Sequence, residues 1–531
     1  MLSTRIPAIK SQTLIGLSVL LFGFCAAWEM GNWIAAEDLT PIAFAAMGVA
    51  AIVVAITILR DWRLGFYFFL TWLLFEDLIR KFLGNNMVIY FGKDILVGLV
   101  YISLYIEIRK GRAKTFRPPF ILPLSLLIWL GVVQIFNSNS PHILYGLIGF
   151  KVYFYYIPLI FVGYALIRSD EDLRKFLVAN GILAGVISAI GIIQAILGNS
   201  FLNPTTLAPE LRDLGNLEKS TPLSNQVFSL PDAVFVSSGR FSLYLVVAAI
   251  LTMSSVGYLL LYTKRSRGIM YVAFALVGVA TLLSGSRGAV VNAMASALVL
   301  SVGFLWGAPW RQRQAHRLVK TIRRSAMVAS LGLSALLLVF PNEAGSRIAY
   351  YTETLSPNSS AYEGSYRSWD YPIRNLELAF TNPNWVLGNG IGTASLGTQY
   401  VAKVIGKTPP NMTVEEGFGT MIVEMGIVAP FLWVISSAAL LLSCWRVVRR
   451  LRQTRFCPIG IAVLWYAFLF LIPLTFGSLN SYLNYVNNVY LWLMVGVLFR
   501  LPTLPTSPAP HPVWTSPGVI PPEAVPDRVF S

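Results

Sequence analysis

The sharpest chemical signal in this sequence is Ser284-Gly285-Ser286-Arg287-Gly288, a turn between two apolar runs. Ser286 can cap the helix that follows, and that helix then points free N–H groups and its positive dipole end at whatever sits before it. The two glycines let backbone approach a ligand closely. Arg287 adds a forked cation whose geometry suits a phosphate or pyrophosphate. A tight turn with a snorkelling arginine is the plainer alternative. Arg240, in Ser237-Ser238-Gly239-Arg240-Phe241, opens another apolar run at the same expected depth, and two arginines at one rim suit a diphosphate. Its alternative is a surface ion pair with Asp232 or Asp213. Arg367 and Arg374 are spaced to share one helix face, although Pro372 interrupts the segment, and a solvated loop face is the competing reading.

Among carboxylates, Glu415 and Glu416 stand just before an apolar run, with Glu424 two helical turns deeper. At a partly desolvated helix mouth such a group can have a raised pKa and take a proton from a sugar hydroxyl, and capping the helix is the competing job. Lys93, Asp94 and Lys151 fall within apolar runs, where an unpaired charge is costly. They read equally as interhelical ion pairs or as substrate contacts. Glu76 with Arg80, and Asp77 with Lys81, have the i,i+4 order of self-satisfied pairs. The three histidines and three cysteines have no ligand-like spacing, and no nucleotide-binding loop or Ser-His-Asp arrangement stands in usable context. Neither metal nor cofactor is expected.

Placing these residues requires a membrane. Of the 531 residues 55% are hydrophobic and only 12% charged, against roughly 25% charged in soluble domains. The formal charge of +16 sits in short clusters between apolar runs, which argues for membrane orientation and against nucleic acid. A bilayer core takes about 20 apolar residues per helix. Runs of that kind lie near 13–28, 41–59, 64–79, 88–106, 119–136, 146–166 and 174–198, then near 240–263, 268–284, 289–308, 325–341, 417–443, 458–476 and 487–500. The expected fold is an all-α polytopic membrane protein of about fourteen transmembrane helices. Basic clusters at Arg60/Arg63, Arg109 to Arg117, Arg168 to Lys175, Lys264 to Arg267, Arg311 to Arg324 and Arg446 to Arg455 alternate onto one side, which is cytoplasmic by the positive-inside rule, with both termini there.

The chain therefore divides into 1–341 with helices one to eleven, a large extracytoplasmic loop at 342–416, helices twelve to fourteen at 417–500, and a Pro-rich cytoplasmic tail at 501–531. Two further outer segments lie at about 199–239 and Gly477 to Asn488. The large loop is rich in Tyr, Trp, Asn and Gly, which is not a disorder composition, and it is expected to fold with short helices.

Together these features resemble the O-antigen ligase and polymerase family of bacterial envelope glycosyltransferases. The resemblance rests on Gly239-Arg240 before an apolar helix, the Ser284-Gly285-Ser286-Arg287-Gly288 turn, and a large outer loop starting at Arg367-Ser368-Trp369. It continues through Asn382-Pro383-Asn384-Trp385-Val386-Leu387-Gly388-Asn389-Gly390-Ile391-Gly392, similar to the family's Pro-x-x-x-Gly-x-Gly-x-Gly stretch, and through Asn411 to Gly426, similar to a segment that re-enters the membrane. The resemblance implies transfer of a glycan from undecaprenyl pyrophosphate, at the outer face of the bacterial inner membrane, to a glycan or lipid A-core acceptor, among membrane lipids and with a chain-length regulator as a further partner. It places pyrophosphate binding on Arg240 and Arg287, a loop contact on Arg367 or Arg374, and substrate contact on Asn411, with Lys93 kept as a candidate contact. Ligases of the family often carry His-Asn where this chain has Pro410-Asn411. Glu416 takes the place of that base, and the missing histidine favours a polymerase or exopolysaccharide role over core ligation. A lipid-linked oligosaccharide flippase is the alternative from another class.

Overall fold

The computed structural model describes residues 52–83, 87–203, 218–263, 265–307, 338–395, 398–406, 410 and 414–504, with isolated positions between 320 and 334. The expected helix near 13–28, most of those near 41–59 and 325–341, Asn411, and the tail beyond 504 lie outside the described residues. Among the described residues seven helices are long and apolar enough to cross a membrane, and the only strands form one short hairpin. The chain is an all-α, multi-pass membrane protein.

It forms two compact units. The first comprises the described part of Met1–Leu73 together with Phe91–Arg112, so it holds the first half of α1 (Trp62–Leu83) and most of α2 (Met87–Arg109). Phe66, Phe69, Leu70 and Leu73 are buried in it, and the Ser103 hydroxyl donates to the Leu59 carbonyl at 3.3 Å.

The second unit comprises Leu74–Tyr90 and the chain from Ala113 onward. It runs through α3 (Ile121–Ile135), α4 (Ile143–Phe154), α5 (Leu159–Leu166) and α6 (Asp170–Leu197), then an antiparallel hairpin of β1 (Glu218–Ser220) and β2 (Val227–Ser229) in which Lys219 pairs with Phe228. Three apolar helices follow, α7 (Ser238–Tyr262), α8 (Arg267–Leu283) and α9 (Arg287–Gly307). Next come α10 (Pro341–Leu355), α11 (Tyr371–Phe380) and α12 (Thr398–Ile405). The unit closes with α13 (Gly417–Met425), α14 (Val428–Leu451), α15 (Cys457–Leu471), the short α16 (Pro473–Gly477) and α17 (Asn480–Leu483), and α18 (Tyr485–Arg500).

The core of this unit is α18. Fifteen of its sixteen residues are buried, as expected of a helix that is apolar all round. Its closest neighbour is α5, where a Cβ on Gly163 would stand 2.1 Å from the Leu493 carbonyl oxygen and one on Gly496 would stand 2.0 Å from that of Ile160. Small residues let the two backbones touch, which is how helices gain packing energy where the solvent is as apolar as the side chains. Asn484 caps α18 by accepting from the N–H groups of Val486 and Asn487.

The expected single helix at 417–443 is two helices. Apolarity runs straight through the junction, but Gly426 has φ +82° and ends α13. The Gly-rich stretch explains the break. Gly388, Gly390 and Gly392 all have φ between +80° and +95°, and a Cβ on Gly392 would fall 2.1 Å from the Tyr145 carbonyl oxygen. Only glycine meets both demands. The strip is fastened to α3 by Gln134, whose amide donates to the Leu387 and Met425 carbonyls at 2.8 and 3.2 Å. Glu424, fully buried, completes the staple by accepting from the Tyr153 hydroxyl of α4 at 2.8 Å and the Ala394 N–H at 2.9 Å.

Candidate anion-binding site

Ser237 caps α7 by accepting from the Arg240 N–H, and so sets Arg240 in the first turn of that helix. The Arg240 side chain is 22% exposed; its Nη1 donates to Asp77 Oδ2 at 2.8 Å and to the Tyr485 hydroxyl at 3.1 Å, with the guanidinium 5.0 Å from the Tyr485 ring centre. Asp77 is itself buried and saturated, taking Arg80 Nη1 at 3.0 Å and the Val236 N–H at 3.3 Å as well. The i,i+4 pairing expected of Asp77 with Lys81 does not form. Lys81 instead reaches Asp232 Oδ1 at 2.8 Å, which also removes Asp232 as a partner of Arg240. Burial holds the Asp232 carboxyl above its ordinary range, against the pull of Lys81. A local pairing rule fails here because the helix end is enclosed, so long-range partners compete with neighbours on the same helix.

The 284–288 turn is built as the sequence suggests. Ser284 Oγ accepts from the Ser286 N–H and Ser286 Oγ from the Ala289 N–H, capping α9. Gly285 has φ +68°, and a Cβ there would strike Leu230 and Phe228 at 2.5 and 2.8 Å. Behind the turn stands Arg347, wholly buried, which the sequence reading passed over. It donates from Nε to Leu283 O at 2.8 Å and from Nη2 to Ser229 O at 2.8 Å and Ala195 O at 3.4 Å, while Nη1 pairs with Glu343. Leu283 and Ala195 lie in the last turns of α8 and α6, so one guanidinium serves orphan carbonyls at the negative ends of two helices. Tyr351 adds a bond from its hydroxyl to Leu282 O at 3.0 Å.

These elements meet at a cavity of about 430 Å³. One wall is the start of α7, with Ser237, Gly239 and Arg240 above Leu243 and Val246. A second is the turn into α9, with Ser286, Gly288 and Asn292. The third is the polar Ser478, Asn480, Ser481 and Asn484 between α16 and α18. Arg240 has further donors, Nε and Nη2, with no partner among the described residues. Nine of its fifteen lining residues carry a hydroxyl, amide or guanidinium, and the other six are aliphatic or glycine. That combination accepts an amphipathic anion.

Arg287 begins α9, but its guanidinium turns to Glu363, at 2.9 Å, and lies 5.4 Å from the Tyr350 ring centre. Arg367 reaches the same Glu363 oxygen at 3.6 Å and sits over Tyr371. The hydrogen bond from Arg287 holds the Glu363 carboxyl below its ordinary range. Arg374 is exposed on α11. Arg367 lies within the π-helical turn Tyr366–Asp370, which shifts the register before α11, so the spacing of the two arginines does not give one straight face. Trp369 of that turn, 64% exposed, packs its ring 5.8 Å from Phe476 of α16, beside the cavity wall. Lys93 is fully buried in α2 and belongs to the first unit.

Glu416 has the competing job. It is the N-cap of α13, fully buried, with its two oxygens accepting from the Phe418 and Gly419 N–H groups. It does not line the cavity. Glu415 is exposed and accepts from the Tyr371 hydroxyl. Burial pushes the Glu416 carboxyl from 4.5 up to about 7. A carboxyl that keeps its proton longer in the fold than in the unfolded chain contributes stability that is present below the lower value and lost as pH rises through the higher one. The apparent melting temperature in detergent is therefore expected to fall between pH 4.5 and 7, and Glu416→Gln to flatten that slope. An unchanged slope in the variant would place the titration elsewhere.

No known protein family, curated protein or solved structure matches this chain.

Proposed function

We propose that the chain transfers or polymerises a glycan carried on undecaprenyl pyrophosphate, at the outer face of a bacterial inner membrane. The observation that carries this reading is the shared cavity. Arg240, the capped turn at Ser286 and Gly288, and the Ser478–Asn484 segment, far apart in sequence, line one space that is polar on its rim and aliphatic along α7. A pyrophosphate at the rim meets Arg240 and the start of α9, with Arg287 just outside the lining and able to reach it on leaving Glu363, and a polyprenyl tail lies along Leu243 and Val246. The exposed ring of Trp369, packed on Phe476 beside the cavity wall, offers a face on which sugars leaving the rim would stack.

In this reading the bond between the sugar's anomeric carbon and the phosphate oxygen breaks, and its electron pair leaves with the pyrophosphate. A hydroxyl oxygen of the acceptor sugar bonds to that carbon, and its proton passes to solvent water. The leaving oxygen gains negative charge, which a fixed guanidinium and a helix N-terminus stabilise without reorganising. The remaining architecture of the reading, about fourteen spans with cytoplasmic termini, puts the rim and the 342–416 segment on the same outer side.

The test is transfer in proteoliposomes from an undecaprenyl-pyrophosphate oligosaccharide, without added nucleotide or metal. Wild type is expected to convert donor into longer or transferred glycan. Arg287→Ala is expected to slow this by about tenfold or more, with Arg287→Lys rescuing poorly because an ammonium lacks the fork. Donor that stays chemically intact but crosses the bilayer would overturn the reading in favour of a flippase.

A further inference from the structure

The anion that Arg287 and Arg367 hold in this structure is the protein's own. Glu363 places one carboxylate oxygen 2.9 Å from Arg287 Nη2 and 3.6 Å from Arg367 Nε, and it is 43% exposed, so the contact is made at the surface where a ligand can compete for it. Tyr350 and Tyr371 back the two guanidinium groups at 5.4 and 5.2 Å. The aromatic faces attract the cations independently of the carboxylate. Glu363 lies between α10 and the π-helical turn, where its carbonyl accepts from the Arg367 N–H at 3.0 Å, so the carboxylate leaves the arginines by rotation of its own side chain.

We infer that Glu363 is an internal competitor for phosphate, which weakens the hold of Arg287 and Arg367 on a bound diphosphate and thereby releases it. The inference rests on the glycosyl-transfer reading for its consequence in turnover, but the competition itself does not. The charge logic favours release. A donor diphosphate is a diester, and the spent carrier is a monoester with one more ionisable oxygen. The site that stabilises the departing charge therefore binds the product more tightly than the substrate, and the enzyme needs something to take its place on the arginines. A carboxylate on the same chain is always at hand, at an effective concentration no free anion matches.

The experiment uses the full chain in nanodiscs and inorganic pyrophosphate as probe. Glu363→Gln keeps the shape and removes the charge, and is expected to bind pyrophosphate about tenfold more tightly than wild type. Glu363→Ala is expected to change affinity in the same direction, and in a background with both Arg287→Ala and Arg367→Ala the Gln substitution is expected to have no effect. In proteoliposomes, added undecaprenyl pyrophosphate should inhibit Glu363→Gln at lower concentration than wild type. Pyrophosphate affinity unchanged or weakened in both Glu363 variants would overturn the inference, and so would a gain that persists without both arginines. The two readings separate cleanly. A wild type that never transfers glycan, with Glu363→Gln still binding more tightly, sinks the glycosyl-transfer reading and keeps the competitor. Normal transfer without tighter binding does the reverse.

Discussion

Arg240→Ala is expected to lower glycan transfer on the order of a hundredfold or more, about 3 kcal/mol of transition-state stabilisation, if the cavity holds the departing pyrophosphate. The arginine is held by Asp77 and Tyr485 through one nitrogen only, and its other donors have no partner among the described residues. Removing it also takes one cation from a buried carboxylate, and a loss of fold would mimic a loss of chemistry. A second variant tells these apart. Arg240→Ala combined with Asp77→Asn removes the charge left behind, so its melting temperature should recover toward wild type while transfer stays lost. Arg240→Lys should keep the Asp77 contact and recover only a small part of the rate. Transfer that returns with the melting temperature in the double variant would reduce Arg240 to a structural ion-pair partner.

The second large effect is on stability. Arg347→Ala leaves the carbonyls of Leu283, Ser229 and Ala195 with one donor fewer each in a region closed to water, together with a cavity the size of a guanidinium. Each buried polar group stripped of its partner costs about 1–3 kcal/mol, so a total of roughly 3 kcal/mol or more is expected even with partial relaxation. Lysine should not substitute, because a single ammonium cannot span carbonyls on two helices and a strand. The measurement is the apparent melting temperature of the purified variant in detergent. A melting curve like that of wild type would show that water or neighbouring groups already satisfy those carbonyls.

Apolar run length made the helices legible, because a membrane imposes one length and one chemistry on whatever crosses it. The runs near 88–106, 146–166, 174–198, 240–263, 289–308 and 458–476 each fall on a helical stretch of spanning length, the second and last of them made of two helices in succession. What failed were breaks and partners. Nothing local in Gly417 to Ser443 announces that Gly426 ends a helix, since the reason lies in the Gly388–Gly392 strip that packs on it. The turn at Ser284–Gly288 and the arginine at 240 could be picked out, because a charge beside an apolar run is expensive and needs a reason. Their surroundings could not. Asp77, Tyr485 and Glu363 are joined to these arginines across 76 to 245 positions of chain, and no spacing rule reaches that far. Arg347 escaped notice for the opposite reason, sitting in a polar helix where an arginine looks ordinary. Glu416 was legible as a helix-mouth carboxylate, and its position alone could not separate capping from catalysis.

The burial of α18 has a consequence for how the molecule is made. This helix is the centre of its unit, yet it emerges from the ribosome after every other described helix. Arg500 bonds the Ile167 carbonyl 333 positions back, and Tyr482, just before the helix, bonds that of Tyr153 across 329. Earlier helices wait in the bilayer as loosely associated neighbours until their own keystone is inserted among them. A chain stopped anywhere before Tyr485 would therefore present nearly all of its hydrophobic helices and none of the finished architecture. Quality-control proteases would meet it as an assembly intermediate, however complete it looked by length.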